Sequence, residues 1–385
     1  MLLKIAYAIQ DVIRLFEPVD RWLFVKLVVV AFIIAGVARL VPRRPRQSDK
    51  RTNRRVAISA WTAASLGGVI ALSGCAYIIT IAEQQLNRQQ SAEKASQRRA
   101  LLAEENKAAH ATLIAKPLKY LGVLEPGVPG SYQQVSRFAA LTASHPSIVL
   151  YYSGWGKQFQ TAFANETYSN GAVPFVQITP YDVRLESIAR GRYDNYLREY
   201  AASVRRFRHA VAMGFGPEMN GNWYPWGYQH ASPAAWVAAW RHIVHVFRAD
   251  GADNVTWVWS VNIPGGKGTG PIRWWWPGKE YVTWVGIDGY FVPGHTTFAG
   301  VIQPTYESIR AFTHLPIMIS ETGIAPGADK VATLRRLFRG VRRDRMLGFV
   351  YFDLNQPANA DYHYDWRLED ESAAVAEYSQ LARAG

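Results

Sequence analysis

Ala210-Val211-Ala212-Met213-Gly214-Phe215-Gly216-Pro217-Glu218-Met219-Asn220-Gly221-Asn222-Trp223-Tyr224-Pro225-Trp226-Gly227 is an apolar run that stops at a carboxylate set among amides and indoles. The short apolar part predicts a buried strand over Ala210–Gly216, and the Gly- and Pro-punctuated remainder predicts a loop. Leu315-Pro316-Ile317-Met318-Ile319-Ser320-Glu321-Thr322-Gly323 repeats the arrangement and delivers a second acid, Glu321. Working outward, similar runs stand near Lys119–Leu124, Ser147–Tyr152, Val173–Ile178, Asn254–Ser260, Thr283–Gly289 and Leu347–Asp353. Most are followed by a loop and a helical pattern, which signals a parallel α/β arrangement. Eight strands predict a (β/α)8 TIM barrel over residues 116–385, with Glu218 and Glu321 at the C-terminal ends of the fourth and seventh strands, where the chemistry of such barrels sits.

The helices carry readable signals. Ser232 suits an N-cap and Pro233 the first turn, while Trp236, Val237, Trp240, Ile243, Val244 and Phe247 share one face before Gly251. Tyr193, Tyr196, Leu197, Tyr200, Val204 and Phe207 form a like stripe, and cladding of the barrel is the simpler role for both.

The chain has 385 residues, a net charge of +13 and 49% hydrophobic residues. Residues 1–115 carry 17 Lys+Arg against 8 Asp+Glu, whereas residues 116–385 carry 26 against 22. A basic head on a nearly balanced body argues for membrane topology and against a nucleic-acid groove. Residues 56–82 contain no charge, enough helix to cross a bilayer, and residues 22–41 form a second candidate span with Lys26 and Arg39 near its ends. The loop 42–55 holds Arg43, Arg44, Arg46, Lys50, Arg51, Arg54 and Arg55, which the positive-inside rule assigns to the cytoplasm, leaving the barrel outside. Leu72-Ser73-Gly74-Cys75 has the form of a lipidation site, but the apolar run continues beyond it, and a plain buried Cys75 is the simpler reading. Residues 83–115 read as a helical stalk.

Two acids at the ends of two strands, ringed by aromatic rings, suit retaining glycoside hydrolysis: one protonates the leaving oxygen and the other attacks carbon, about 5 Å apart. Asn220 or Asn222 could bond a sugar hydroxyl, and indoles could stack on pyranose faces. Taken singly, each acid is as readily a surface group and each Trp as readily core. His242 and His245 sit three apart on a cladding helix and make a poor metal pair. Gly265-Gly266-Lys267-Gly268-Thr269-Gly270 lacks P-loop spacing and reads as a cleft rim, as do Asp361, His363, Asp365 and Trp366; the Arg335–Arg345 tract reads as an exposed face.

From about Lys119 to Ala384 the chain resembles glycoside hydrolase family 26, the retaining β-mannanase-like barrels. The carrying segments are Glu218–Gly227, Val255-Thr256-Trp257-Val258-Trp259-Ser260, Trp276–Val282 leading into Trp284–Tyr290, and Ile319-Ser320-Glu321-Thr322-Gly323. The resemblance implies Glu218 as acid/base, Glu321 as nucleophile, Tyr290 holding the nucleophile, and Trp223, Trp226 and Trp259 lining the sugar sites. It implies no cofactor and no metal. One position departs: the family's His before the acid/base is Pro217 here, so a hydrogen bond near the reaction centre is missing or supplied elsewhere. The leading expectation is a membrane-anchored glycosidase acting outside the cytoplasm on a mannan, a β-glucan or an exopolysaccharide of its own cell. The rival is an inactive polysaccharide-binding barrel that partners a synthesis or export complex.

Overall fold

The computed structural model describes residues 81–90, 93, 113–264, 268–356 and 364–384. The chain divides into two compact units, Met1–Ala100 and Leu101–Gly385. In the first, residues 81–90 and 93 are helical. The expected span at 22–41, the basic loop 42–55, Cys75 and nearly all of the span at 56–82 lie outside the described residues. Among the described residues no helix is long and apolar enough to cross a membrane.

The second unit is a closed parallel barrel of eight strands in chain order, β1 to β8. They are β1 Tyr120–Leu124, β2 Ile148–Gly154, β3 Val173–Thr179, β4 Val211–Phe215, β5 Val255–Asn262, β6 Trp284–Asp288, β7 Ile317–Thr322 and β8 Gly348–Phe352. The helices between and after them are α1 Gln133–Thr142, α2 Thr161–Ser169, α3 Leu185–Ala189, α4 Asp194–Phe207, α5 Pro233–Ala249, α6 Phe298–Val301, α7 Gln303–Arg310, α8 Lys330–Arg343 and α9 Ser372–Arg383. Every expected strand is present within a few residues of its predicted bounds.

Alternation along each strand divides two apolar layers. Tyr120, Ile148, Leu150, Phe175, Ala212, Val258, Trp284, Met318 and Val350 fill the barrel. Val149, Tyr151, Val176, Met213, Trp257, Trp259, Ile317 and Ile319 point the other way and meet the helices. The helices are built as their sequences suggest: the Ser232 hydroxyl accepts from Ala235 N–H at 3.1 Å, Pro233 opens α5, and Trp236, Trp240, Ile243, Val244 and Phe247 are buried. His242 of α5 bonds Asp194 at 2.6 Å and His245 bonds the Tyr281 hydroxyl at 3.1 Å, so both have structural partners. Arg335 of α8 forks onto Glu377 at 2.9 and 2.6 Å, tying α8 to α9.

The barrel closes where Tyr120 of β1 pairs with Gly348 of β8. A Cβ on Gly348 would lie 1.9 Å from the Tyr120 carbonyl oxygen, and the residue sits at φ 141, a region open chiefly to glycine. Gly348→Ala is therefore expected to destabilise the barrel by about 2–4 kcal/mol, read from chemical denaturation followed by tryptophan fluorescence.

Candidate active site

After β4 the chain does not enter a helix. Gly216 (φ 51) and Glu218 (φ 54) both take left-handed backbone, which turns the chain across the barrel mouth. For a glutamate that conformation costs roughly 1–3 kcal/mol and needs surrounding support. The support is visible: Glu218 N–H donates to the Ser260 carbonyl at 3.0 Å, Trp226 Nε1 donates to the Pro217 carbonyl at 2.8 Å, and Trp236 Nε1 donates to the Gly216 carbonyl at 3.2 Å. The Glu218 side chain is buried in the mouth. Its Oε2 accepts from Trp223 Nε1 at 2.8 Å, and its Oε1 accepts from Asn262 Nδ2.

Glu321 reaches the mouth by a different device. Ile317 and Ile319 point outward, so simple alternation would send residue 321 outward too. Between β6 and β7 the register runs Ile287 to Ile319 and then Asp288 to Glu321; between β7 and β8 it runs Ile319 to Phe349 and then Thr322 to Tyr351. β7 thus holds one extra residue against both neighbours, a bulge that breaks the alternation at Ser320 and Glu321. The Glu321 carboxyl then receives two phenols, Tyr152 Oη on Oε1 and Tyr290 Oη on Oε2 at 2.9 Å. Beside it Asp288, fully buried, accepts from Ser320 Oγ through Oδ1, while its Oδ2 has no hydrogen-bond partner among the described residues.

Three carboxyls in one desolvated mouth cannot all ionise. Burial pushes Glu321 up to about 8, the charge of Glu218 adds to the shift, and the bonds from Tyr152 and Tyr290 oppose it. Burial also raises Glu218, against the donors Asn262 and Trp223. Asp288 is held well above the usual carboxylate range by burial and then by the charges of Glu321 and Glu218, with the Ser320 bond opposing. Burial and the two neighbouring charges thus disfavour ionisation of Asp288, and Glu218 and Glu321 both titrate above the usual carboxylate range.

The residues singled out from the sequence sort into three groups. Glu218, Glu321, Trp223 and Tyr290 join in the bonds just described. Trp223 is also 40% exposed, leaving its ring open beside the acid. Asn222 is half-buried on the rim, its N–H on the Gly268 carbonyl at 2.9 Å. The remaining three require correction. Trp259 is fully buried on the outer side of β5, packed on Trp276 and Phe312 at 5.0 and 6.3 Å, because its position has the parity of Trp257 and Val261. Trp226 is 1% exposed, stacked on Tyr224 at 4.4 Å, and serves as a strut under the Glu218 turn. Asn220 is buried with its amide spent on the Asn262 backbone, donating to the carbonyl at 2.8 Å and accepting from the N–H at 2.9 Å. None of the three is placed to meet a sugar.

Tyr152, Asn262 and Asp288 were not singled out. Asn262 and Asp288 end their strands and Tyr152 stands two residues before the end of β2, all with inward parity, so alternation counted along the strands would have flagged them. Asp365 and Trp366 of the expected rim are described: Trp366 packs on the Tyr290 ring at 4.8 Å, and Asp365 pairs with Arg367. Asp361, His363 and Gly265–Lys267 lie outside the described residues. No group of three or more His, Cys, Asp or Glu suited to a metal occurs among the described residues.

A carboxyl whose folded pKa exceeds its unfolded value favours the fold when protonated. Its contribution is complete below the unfolded value of 4.5 and is lost as pH rises toward about 8. Glu321→Gln removes that burden. The variant is expected to be more stable than wild type by about 2 kcal/mol at pH 8 and to lose this advantage near pH 4, as measured by denaturant titration at both pH values.

The family model described as glycosyl hydrolase family 26 matches residues 152–329. Endoglucanase H of Acetivibrio thermocellus is 28% identical over 276 residues, 67% of this chain and 30% of that protein. Beta-1,3-xylanase TXYA of a Vibrio species is 28% identical over 110 residues, 28% of this chain and 23% of that protein. The chain thus spans less than a third of the length of these curated relatives. Among solved structures, the Bacillus subtilis mannanase man26 superposes with a TM-score of 0.53 at 16% identity, over 71% of this chain and 87% of that one. The endo-beta-1,4-mannanase of Bacillus sp. JAMB-750 gives 0.52 at 13% identity, over 73% and 90%. These two share the fold. The matched segment runs from β2 to the cap of α8 and contains both Glu218 and Glu321, so the part of the barrel that carries the site is similar to glycosyl hydrolase family 26.

Proposed function

We propose that the chain is a retaining glycosidase acting on a β-linked polysaccharide, anchored to the membrane by its N-terminal segment with the barrel outside the cytoplasm. The observation that carries the reading is the pair of buried carboxyls in one barrel mouth, each met by two hydrogen-bond donors and each raised in pKa. Glu218 donates a proton to the glycosidic oxygen as Glu321 attacks the anomeric carbon; the leaving sugar departs with that proton, and a covalent ester joins the sugar to Glu321. Glu218, now ionised, takes a proton from water, whose oxygen displaces Glu321. The phenols of Tyr152 and Tyr290 stabilise the Glu321 carboxylate before attack and after release. Burial and the charges of Glu321 and Glu218 disfavour a third charge on Asp288.

The open ring of Trp223, together with Tyr224 and the 47% exposed Tyr181, supports a substrate with apolar sugar faces. An endoglucanase, a xylanase and mannanases among the relatives support a neutral β-glycan: a mannan, a β-glucan or a polymer exported by the same cell. The uncharged run 56–82 behind the basic loop 42–55 supports the anchor and its orientation. Pro217 supports a second reading, a barrel that binds polysaccharide without cleaving it, beside a synthesis or export complex.

Release of reducing ends over a panel of β-glycans separates the two. Wild type is expected to act on at least one polymer, with Glu218→Gln and Glu321→Gln about a thousandfold slower or worse, while equal signals from all three proteins leave the binding reading. Proton NMR of the first product should show retained β configuration; the α anomer appearing first would remove Glu321 from its role. A reporter fused after Gly385 should be active only outside the cytoplasm.

A further inference from the structure

An acid/base carboxyl has to exist in both protonation states within one turnover, and its hydrogen-bond partners have to suit both. Trp223 cannot change sides, because an indole N–H only donates. Pro217, adjacent in the chain, has no side-chain donor or acceptor. That leaves Asn262, the last residue of β5, whose Nδ2 donates to Glu218 Oε1. A carboxamide carries a donor and an acceptor at equal reach from one Cγ, and a half-turn about Cβ–Cγ exchanges them. The backbone that bears this amide does not move with it. The Asn262 N–H is held by Asn220 Oδ1 at 2.9 Å and its carbonyl by Asn220 Nδ2 at 2.8 Å.

We infer that Asn262 is a positioning residue that acts through Glu218: its amide donates to the Glu218 carboxylate and, turned over, accepts from the carboxylic acid, with Asn220 fixing the pivot. This rests on the glycosidase reading and deepens it. The other groups facing Glu218 cannot take the part. Glu321 from β7 and Asp288 from β6 are acids, the phenol of Tyr290, beyond β6, is spent on Glu321, and that of Tyr224, on the same loop, meets Glu218 through its charge alone. Tyr152 from β2 is occupied by Glu321.

The test uses the full chain and variants Asn262→Leu and Asn262→Asp, with dinitrophenyl β-cellobioside and β-mannobioside as probes. A dinitrophenolate leaves without a proton, so the first step no longer needs the acid while the second still needs the base. Asn262→Leu is expected to release the first equivalent of dinitrophenol in a burst at the wild-type rate and then turn over roughly 10- to 100-fold more slowly. Azide should restore turnover, since it attacks the anomeric carbon without a base, forms the glycosyl azide and frees the Glu321 carboxylate. On cellotetraose and mannotetraose, whose leaving sugar still needs the proton, Asn262→Asp places a like charge beside Glu218 and should move the alkaline limb of kcat/KM upward by about one pH unit or more. A burst slowed in parallel with turnover, turnover indifferent to azide, or an unmoved limb overturns the inference and leaves Asn262 a structural residue. Should wild type and Glu218→Gln behave alike on the same probes, the glycosidase reading itself fails, which is a separate outcome.

Discussion

Two carboxylates buried within one barrel mouth repel each other and lose their hydration, so the site depends on the hydrogen bonds that replace water. Four donors supply them: the phenols of Tyr152 and Tyr290 on Glu321, and the Trp223 indole and Asn262 amide on Glu218. They come from the end of β2, the loop after β6, the loop after β4 and the end of β5. Only a closed parallel barrel brings those ends to one rim, and the requirement for donors there accounts for the change in barrel filling along the strands. Near the start the inner residues are Tyr120, Ile148, Trp284 and Met318; toward the mouth they become Gln177, Ser260, Asp288 and Ser320.

Close approach inside the barrel makes that polar layer possible. A Cβ on Gly214 would fall 2.0 Å from Gln177 Oε1, and one on Gly286 would fall 2.2 Å from Ser320 Oγ and 2.6 Å from Ser260 Oγ. The missing side chains leave room for Gln177 Nε2 to reach Ser260 Oγ at 2.8 Å across the interior, and the Ser260 carbonyl then anchors Glu218 N–H. Packing low in the barrel is thus linked by direct bonds to the backbone of the acid.

The heavy aromatic load divides by use. Trp226 and Trp236 hold the left-handed turn through their indole N–H groups, and Trp240, Trp257, Trp259 and Trp275 are buried among or beneath the helices. Other rings are open, among them Trp223 and Tyr181, with Tyr152 and Tyr224 partly so. Where strain is held in a non-glycine residue at the centre of the site, neighbouring rings supply the rigidity.

The eight strands, their parallel order and the two acids at β4 and β7 were legible in the chain, because short apolar runs, turn residues and helical stripes are local signals that survive without knowledge of neighbours. The cap of α5 and the apolar faces of α4 and α5 were legible for the same reason. What the side chains face was not. Trp259 stands in a segment that looks like a sugar site, yet its odd position on β5 turns it to the helices, and Asn262, three residues on, turns inward to Glu218. Glu321 shares the outward parity of Ile317 and Ile319 and reaches the mouth only because β7 carries an extra residue against β6 and β8. A bulge is a mismatch between strands distant in sequence, so it has no local signature. The residue types of the site were set by sequence, and their convergence was decided by the register of the closed sheet, since one residue of slip carries a side chain from one face of a strand to the other.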